Sequence, residues 1–165
     1  MKFSLKDFYD YYKIDANCYG LEVYQTPLTE KDFLQIVEKL KYYCKKDKVS
    51  FLAVFSTTAS NTAEQAVEHT GKRGRPRKIV HGDKVDAHVH LSIVGTKEKS
   101  AYSTAQKVKK SIDKKYEKPV CQVQSKGNTV HAYNYIAYSL RQADMIRTGG
   151  DFDFRQYVAT HDLFS

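Results

Sequence analysis

Tryptophan is absent from this chain, and cysteine and proline occur only three times each in 165 residues. The cysteines, Cys18, Cys44 and Cys121, are odd in number, widely spread and form no CxxC pair. That argues against a disulfide framework and against a thiolate zinc site, so reduced, buried thiols are expected. No apolar run approaches the roughly 20 residues that span a bilayer, and no membrane partner is expected. The opening "MKFSLKDFYDYYKID" alternates charge and aromatics too closely for a signal peptide, which makes an intracellular location the default. Acidic residues are in deficit: 19 Asp and Glu against 27 Lys and Arg leave a net charge of +8. A polyanionic partner fits that balance.

Aromatic residues are plentiful, with 13 tyrosines and eight phenylalanines. The patterning predicts a single α+β domain over residues 1–165. Residues 4–13 form a short helix capped by Ser4, and 19–27 alternate as a strand with Leu21 and Val23 on one face. Thr29 caps a helix whose apolar positions are Phe33, Ile36, Val37 and Leu40. Residues 48–58 and 85–95 read as strands, 99–116 as a basic helix, and "KPVCQVQSKGN" as a last strand and turn. A final helix starting at "VHAYNYIAYSLR" is expected to run to Gly149 and Gly150. This order suits an antiparallel sheet of four to five strands with helices packed on it, ferredoxin-like or RRM-like.

In "DAHVHLSIVG" the strand period of two puts Asp86, His88, His90 and Ser92 on one face, and Val89, Leu91 and Ile93 on the other. Neutral imidazole is the commonest side-chain metal ligand, and the i, i+2 spacing brings two to one ion. Such a pair leaves coordination positions open for water or a substrate phosphate. Asp86 is the first choice as third ligand, with Gln142, Glu22 and His81 as alternatives. On the last helix, Tyr135, Tyr138 and Gln142 share a face at i, i+3, i+7, and Arg141 follows Tyr138 at +3. A tyrosine can attack a phosphodiester and hold the strand covalently.

Residues 59–84 are polar and aperiodic and read as a basic insertion. Within it, "RGRP" flanked by Lys72, Arg77 and Lys78 looks like the core of an AT-hook. Arg73 and Arg75 could enter the narrow minor groove of A·T-rich duplex, with glycine allowing the close approach. Lys107, Lys109, Lys110 and Lys114 on the basic helix could follow a phosphate backbone.

Taken together, "FLAVFSTT" (51–58), "HVHLSIV" (88–94) and "YSLR" (138–141) resemble the three motifs of the HUH endonuclease superfamily. The likeness spans roughly residues 20–150 and is greatest to the nuclease domain of rolling-circle replication initiators of plasmids and small viruses. It implies a ferredoxin-like sheet with the histidines on a central strand and the tyrosine on a following helix. It also implies nicking and joining of single-stranded or hairpin origin DNA through a 5′-phosphotyrosine, with Mg²⁺ or Mn²⁺ held by His88 and His90. Tyr138 is then the nucleophile, on account of Arg141 at +3 (lysine is usual there) and Gln142 at +4, with Tyr135 as the alternative. The partners implied are origin DNA, A·T-rich duplex beside it, and a host helicase and polymerase. The location would be bacterial cytoplasm or, for a virus, the host compartment of replication.

A transposase or conjugative relaxase would use the same chemistry. A two-histidine phosphoesterase would need a second H-x-S/T besides His90-Leu91-Ser92, and there is none. A non-catalytic RRM-like module would bind through its tyrosines, although the chain lacks the RNP1 string.

Overall fold

A computed structural model describes residues 4–12, 18–24, 28–58, 84–96, 100–125 and 129–164. Helix α1 (Leu5–Tyr12) precedes β1 (Cys18–Val23), α2 (Glu30–Asp47), β2 (Ser50–Thr58) and β3 (Lys84–Val94). Then come α3 (Ala101–Tyr116), β4 (Cys121–Ser125), α4 (Thr129–Arg141), β5 (Met145–Gly149) and α5 (Phe154–Phe164).

The strands form one antiparallel sheet in the order β4-β1-β3-β2-β5. The first four, linked through α2 and α3, have the ferredoxin-like arrangement, and β5 extends it along β2. The long β3 is central, and its register sets the molecule: His90 lies opposite Glu22 of β1 and Val54 of β2, and His88 lies opposite Ser56.

Local chemistry explains the helix starts. The Thr29 side chain accepts from the Asp32 amide while the Asp32 carboxylate accepts from the Thr29 amide, a capping box. Ser4 and Asp7 do the same for α1. The end of α2 turns on Lys48, whose left-handed backbone (φ 57°) directs its amide to the Cys44 and Lys45 carbonyls.

Helices cover both faces of the sheet. On one, Leu21, Val23, Ala53, Phe55, Val89, Leu91 and Ile93 are buried against Phe33, Ile36 and Leu40 of α2 and Ala105, Val108 and Ile112 of α3. On the other, Cys18, Leu52, Val54 and Val94 meet Ala132 and Ile136 of α4, Phe154 and Tyr157 of α5, and Phe8 of α1. Burying each large side chain contributes about 1.5–3 kcal/mol, so both layers help to fix the sheet.

The expected long last helix is in fact two elements. It ends at Arg141, and residues 145–149 pair with β2 instead. The Asp144 amide donates to the Phe55 carbonyl at 2.9 Å, turning the chain into the sheet. Gly149 and Gly150 therefore close a strand: Gly150 sits at φ 90°, where a Cβ would lie 2.7 Å from the Ser50 backbone. All three cysteines are free and buried, and burial pushes the Cys44 and Cys121 thiols up to about 12. No described helix is long and apolar enough to cross a membrane.

Candidate active site

The exposed end of one sheet face carries both histidines of β3, and α4 lies across it. The imidazoles meet edge to face, with centroids 4.9 Å apart. His88 Nδ1 is 2.9 Å from the Asp86 carbonyl oxygen. A carbonyl only accepts, so Nδ1 carries the proton and the lone pair of the neutral ring is on Nε2.

His90 is held in the same sense. Its Nδ1 lies 3.6 Å from Glu22 Oε1 and 3.4 Å from the Tyr135 hydroxyl oxygen. That hydroxyl donates to the Leu21 carbonyl at 3.1 Å, leaving its oxygen able to accept from the imidazole. Backbone and carboxylate acceptors on Nδ1 are the usual outer partners of a metal-binding histidine, and they present Nε2 as the ligand atom. Two imidazoles offering Nε2 are a donor type that suits a divalent cation. Glu22 stands on the Nδ1 side of His90 and orients the ring.

The other third-ligand candidates are placed differently. Asp86 is exposed, and its contact with His88 is through its main-chain carbonyl. Gln142 is buried at the end of α4. His81 lies outside the described residues. Among the described residues, no group of three or more His, Cys, Asp or Glu side chains could hold a metal ion.

The two candidate tyrosines differ in surroundings. Tyr135 is pinned between Leu21 and His90, and desolvation, reinforced by the Glu22 charge, pushes its hydroxyl well above the usual tyrosine range. Tyr138 is half-buried, with the Arg141 guanidinium 5.2 Å from its ring centre. No hydrogen bond joins Tyr138 to either imidazole among the described residues.

Three contacts from the end of β2 fix where α4 lies. Ser56 Oγ donates to the Gln142 carbonyl at 2.7 Å, and the Thr57 amide and hydroxyl donate to Asp144 Oδ2 at 2.9 and 2.8 Å. Because Ser56 is opposite His88, the helix runs from the level of His90, at Tyr135, to the level of His88, at Gln142. Tyr138 is one turn past Tyr135, about 4.5 Å along the axis, against about 6.7 Å between the two histidines. The sequence motif "FLAVFSTT" thus has a structural use that its apolar pattern did not disclose.

Lys72, Arg73, Arg75, Arg77 and Lys78 lie outside the described residues. The lysines of α3 are on the sheet face opposite the histidines. No family model matches this chain, and no curated protein or solved structure matches it either.

Proposed function

We propose that the protein is a metal-dependent DNA nicking and joining enzyme of the HUH type, acting on single-stranded or hairpin origin DNA to initiate rolling-circle replication. The observation that carries this reading is the pair of adjacent imidazoles on the central strand, each with an acceptor at Nδ1, beside a helix whose Tyr135 meets His90 edge-on at 5.7 Å. His88 and His90 would hold Mg²⁺ or Mn²⁺, which supplies polarisation of the scissile phosphate. Tyr138 attacks phosphorus in line, a bond forms from its oxygen to phosphorus, and the bond to the 3′-oxygen breaks. The tyrosine proton leaves to solvent or a nearby base, the 3′-oxygen is released as a hydroxyl, and a 5′-phosphotyrosine remains to be rejoined later.

Tyr138 is the better nucleophile because it is partly open to solvent and carries Arg141 beside it, where a phosphate can be received. Tyr135 already donates to a carbonyl and is desolvated, which suits it to positioning His90. The basic insertion would hold A·T-rich duplex beside the nick.

The test is cleavage of labelled single-stranded and hairpin oligonucleotides in Mn²⁺ and in EDTA, with His88→Ala and His90→Ala beside the unaltered protein. Cleavage in Mn²⁺ alone, lost in both variants, is expected. Metal-independent binding without cleavage would mark a non-catalytic nucleic-acid module.

A further inference from the structure

The face of the molecule turned away from the histidines carries a second cationic feature. Between α2 and α3 runs an open groove of about 710 Å³ lined by Lys39, Lys107, Lys110, Lys114, Lys115 and Tyr43 among others, with no acidic residue in its lining. Two of these lysines are engaged: Lys107 with Asp47 at 3.1 Å, and Lys115 with Asp32 at 3.5 Å. Lys39, Lys110 and Lys114 have no ion-pair partner among the described residues. A neighbouring depression of about 590 Å³ shares Lys39, Tyr43, Ser111 and Lys115 and adds Gln35, Glu38, which pairs with Lys41 at 3.1 Å, and Tyr42, which is 62% exposed. Tyr42 and Tyr43 meet edge to face at 5.2 Å, and Lys46 Nζ is 6.0 Å from the Tyr42 ring centre.

Unpaired like charges crowded along two packed helices repel one another, and a polyanion relieves that repulsion. An exposed tyrosine beside the row adds a flat apolar face of the kind on which bases stack. We infer that the α2–α3 groove is a second binding surface for single-stranded nucleic acid, separate from the histidine face, with the lysines on the phosphates and Tyr42 on a base. Duplex would satisfy the lysines but offer no unstacked base to Tyr42. An acidic peptide would likewise satisfy the lysines alone. The inference does not depend on cleavage.

The test uses the full chain in EDTA, so that nicking plays no part, and follows fluorescence anisotropy of a labelled oligothymidine of about 16 nucleotides. The same measurement is made with duplex of equal length and with polyglutamate. Lys39→Glu, Lys110→Glu and Lys114→Glu are combined in one variant. Lys31→Glu, Lys45→Glu and Arg155→Glu form a control of equal charge change, and circular dichroism checks that both fold. Between about 50 and 200 mM salt, each lost phosphate contact on a single strand lowers the log–log slope by about 0.7, so the groove variant should lose about 2 from the slope. The control should lose much less. Tyr42→Ala should weaken oligothymidine binding severalfold and leave duplex and polyglutamate unchanged. Equal losses in groove and control variants would overturn the inference in favour of general charge. Polyglutamate binding as tightly as oligothymidine, with Tyr42→Ala without effect, would make the groove an acidic-peptide surface instead.

Discussion

At the scale of single residues, the candidate site rests on which nitrogen of each histidine is occupied. Both Nδ1 atoms face acceptors, and the carboxylate at His90 belongs to a different strand. Glu22→Gln should therefore weaken Mn²⁺ binding by about 10- to 100-fold, the usual cost of losing an outer partner, while binding persists. His90→Ala should abolish it; calorimetric titration separates the two outcomes. Another histidine offers a test of stability. His161 on α5 is buried between Tyr133, whose ring stacks on it at 3.5 Å, and Phe8, edge-on at 5.2 Å. Burial lowers its pKa below the ordinary 6.5, outweighing the Asp162 carboxylate that would raise it. The folded protein thus binds this proton less readily than the unfolded chain does. Its share of stability is complete above about pH 6.5 and is lost progressively as pH falls from there toward the depressed folded value. Denaturant midpoints measured from pH 7.5 to 5 should show this decline, and His161→Phe should flatten it.

At the scale of elements, the placing of α4 depends on its C-terminal turn. Asp144 ties that turn to Thr57 and Ser56 ties it to the strand beside β3. Asp144→Ala should cost about 1 kcal/mol of stability, and Ser56→Ala a similar amount. If α4 presents the nucleophile, both should also lower the cleavage rate with little change in oligonucleotide affinity. Rates falling only in proportion to the unfolded fraction would leave these residues a purely structural role. Most elements were legible from sequence because their signals are local: Ser4 and Thr29 cap helices, and Val89, Leu91 and Ile93 alternate with His88 and His90. The division after Arg141 was not. Apolar residues continue through Met145 and Ile146, and only the long-range bonds from β2 turn them into a strand. Glu22 was named from sequence only as one alternative among several, since opposing residues on different strands are set by register, which no local period reveals; the register puts it beside His90. Asp86 drew attention by sharing a strand with the histidines, whereas the carboxylate that meets His90 comes from β1.

At the scale of the whole molecule, the sheet separates two chemistries. One face carries the histidines and α4; the other carries α2 and α3 with their lysines. The α3 lysines, which the sequence offered as followers of a phosphate backbone, lie on the sheet face opposite the histidines. A strand held at the histidines and one held in the groove, as proposed, would be different segments. Removing Lys39, Lys110 and Lys114 should change the affinity for long single strands more than the cleavage of a short one. A gel-shift series in oligonucleotide length, read beside cleavage of the shortest cleavable substrate, would show the difference.

The central claim is that an α4 tyrosine becomes covalently joined to DNA across the histidine pair. Its most direct measurement is peptide mass spectrometry of the SDS-resistant adduct formed with a single-stranded oligonucleotide in Mn²⁺. The expected result is a nucleotide remnant on Tyr138, with the adduct lost in Tyr138→Phe and in His88→Ala. A remnant on Tyr135 would move the nucleophile one turn along α4 and keep the chemistry. No adduct with any single-stranded or hairpin substrate, from protein that binds them, would contradict the account.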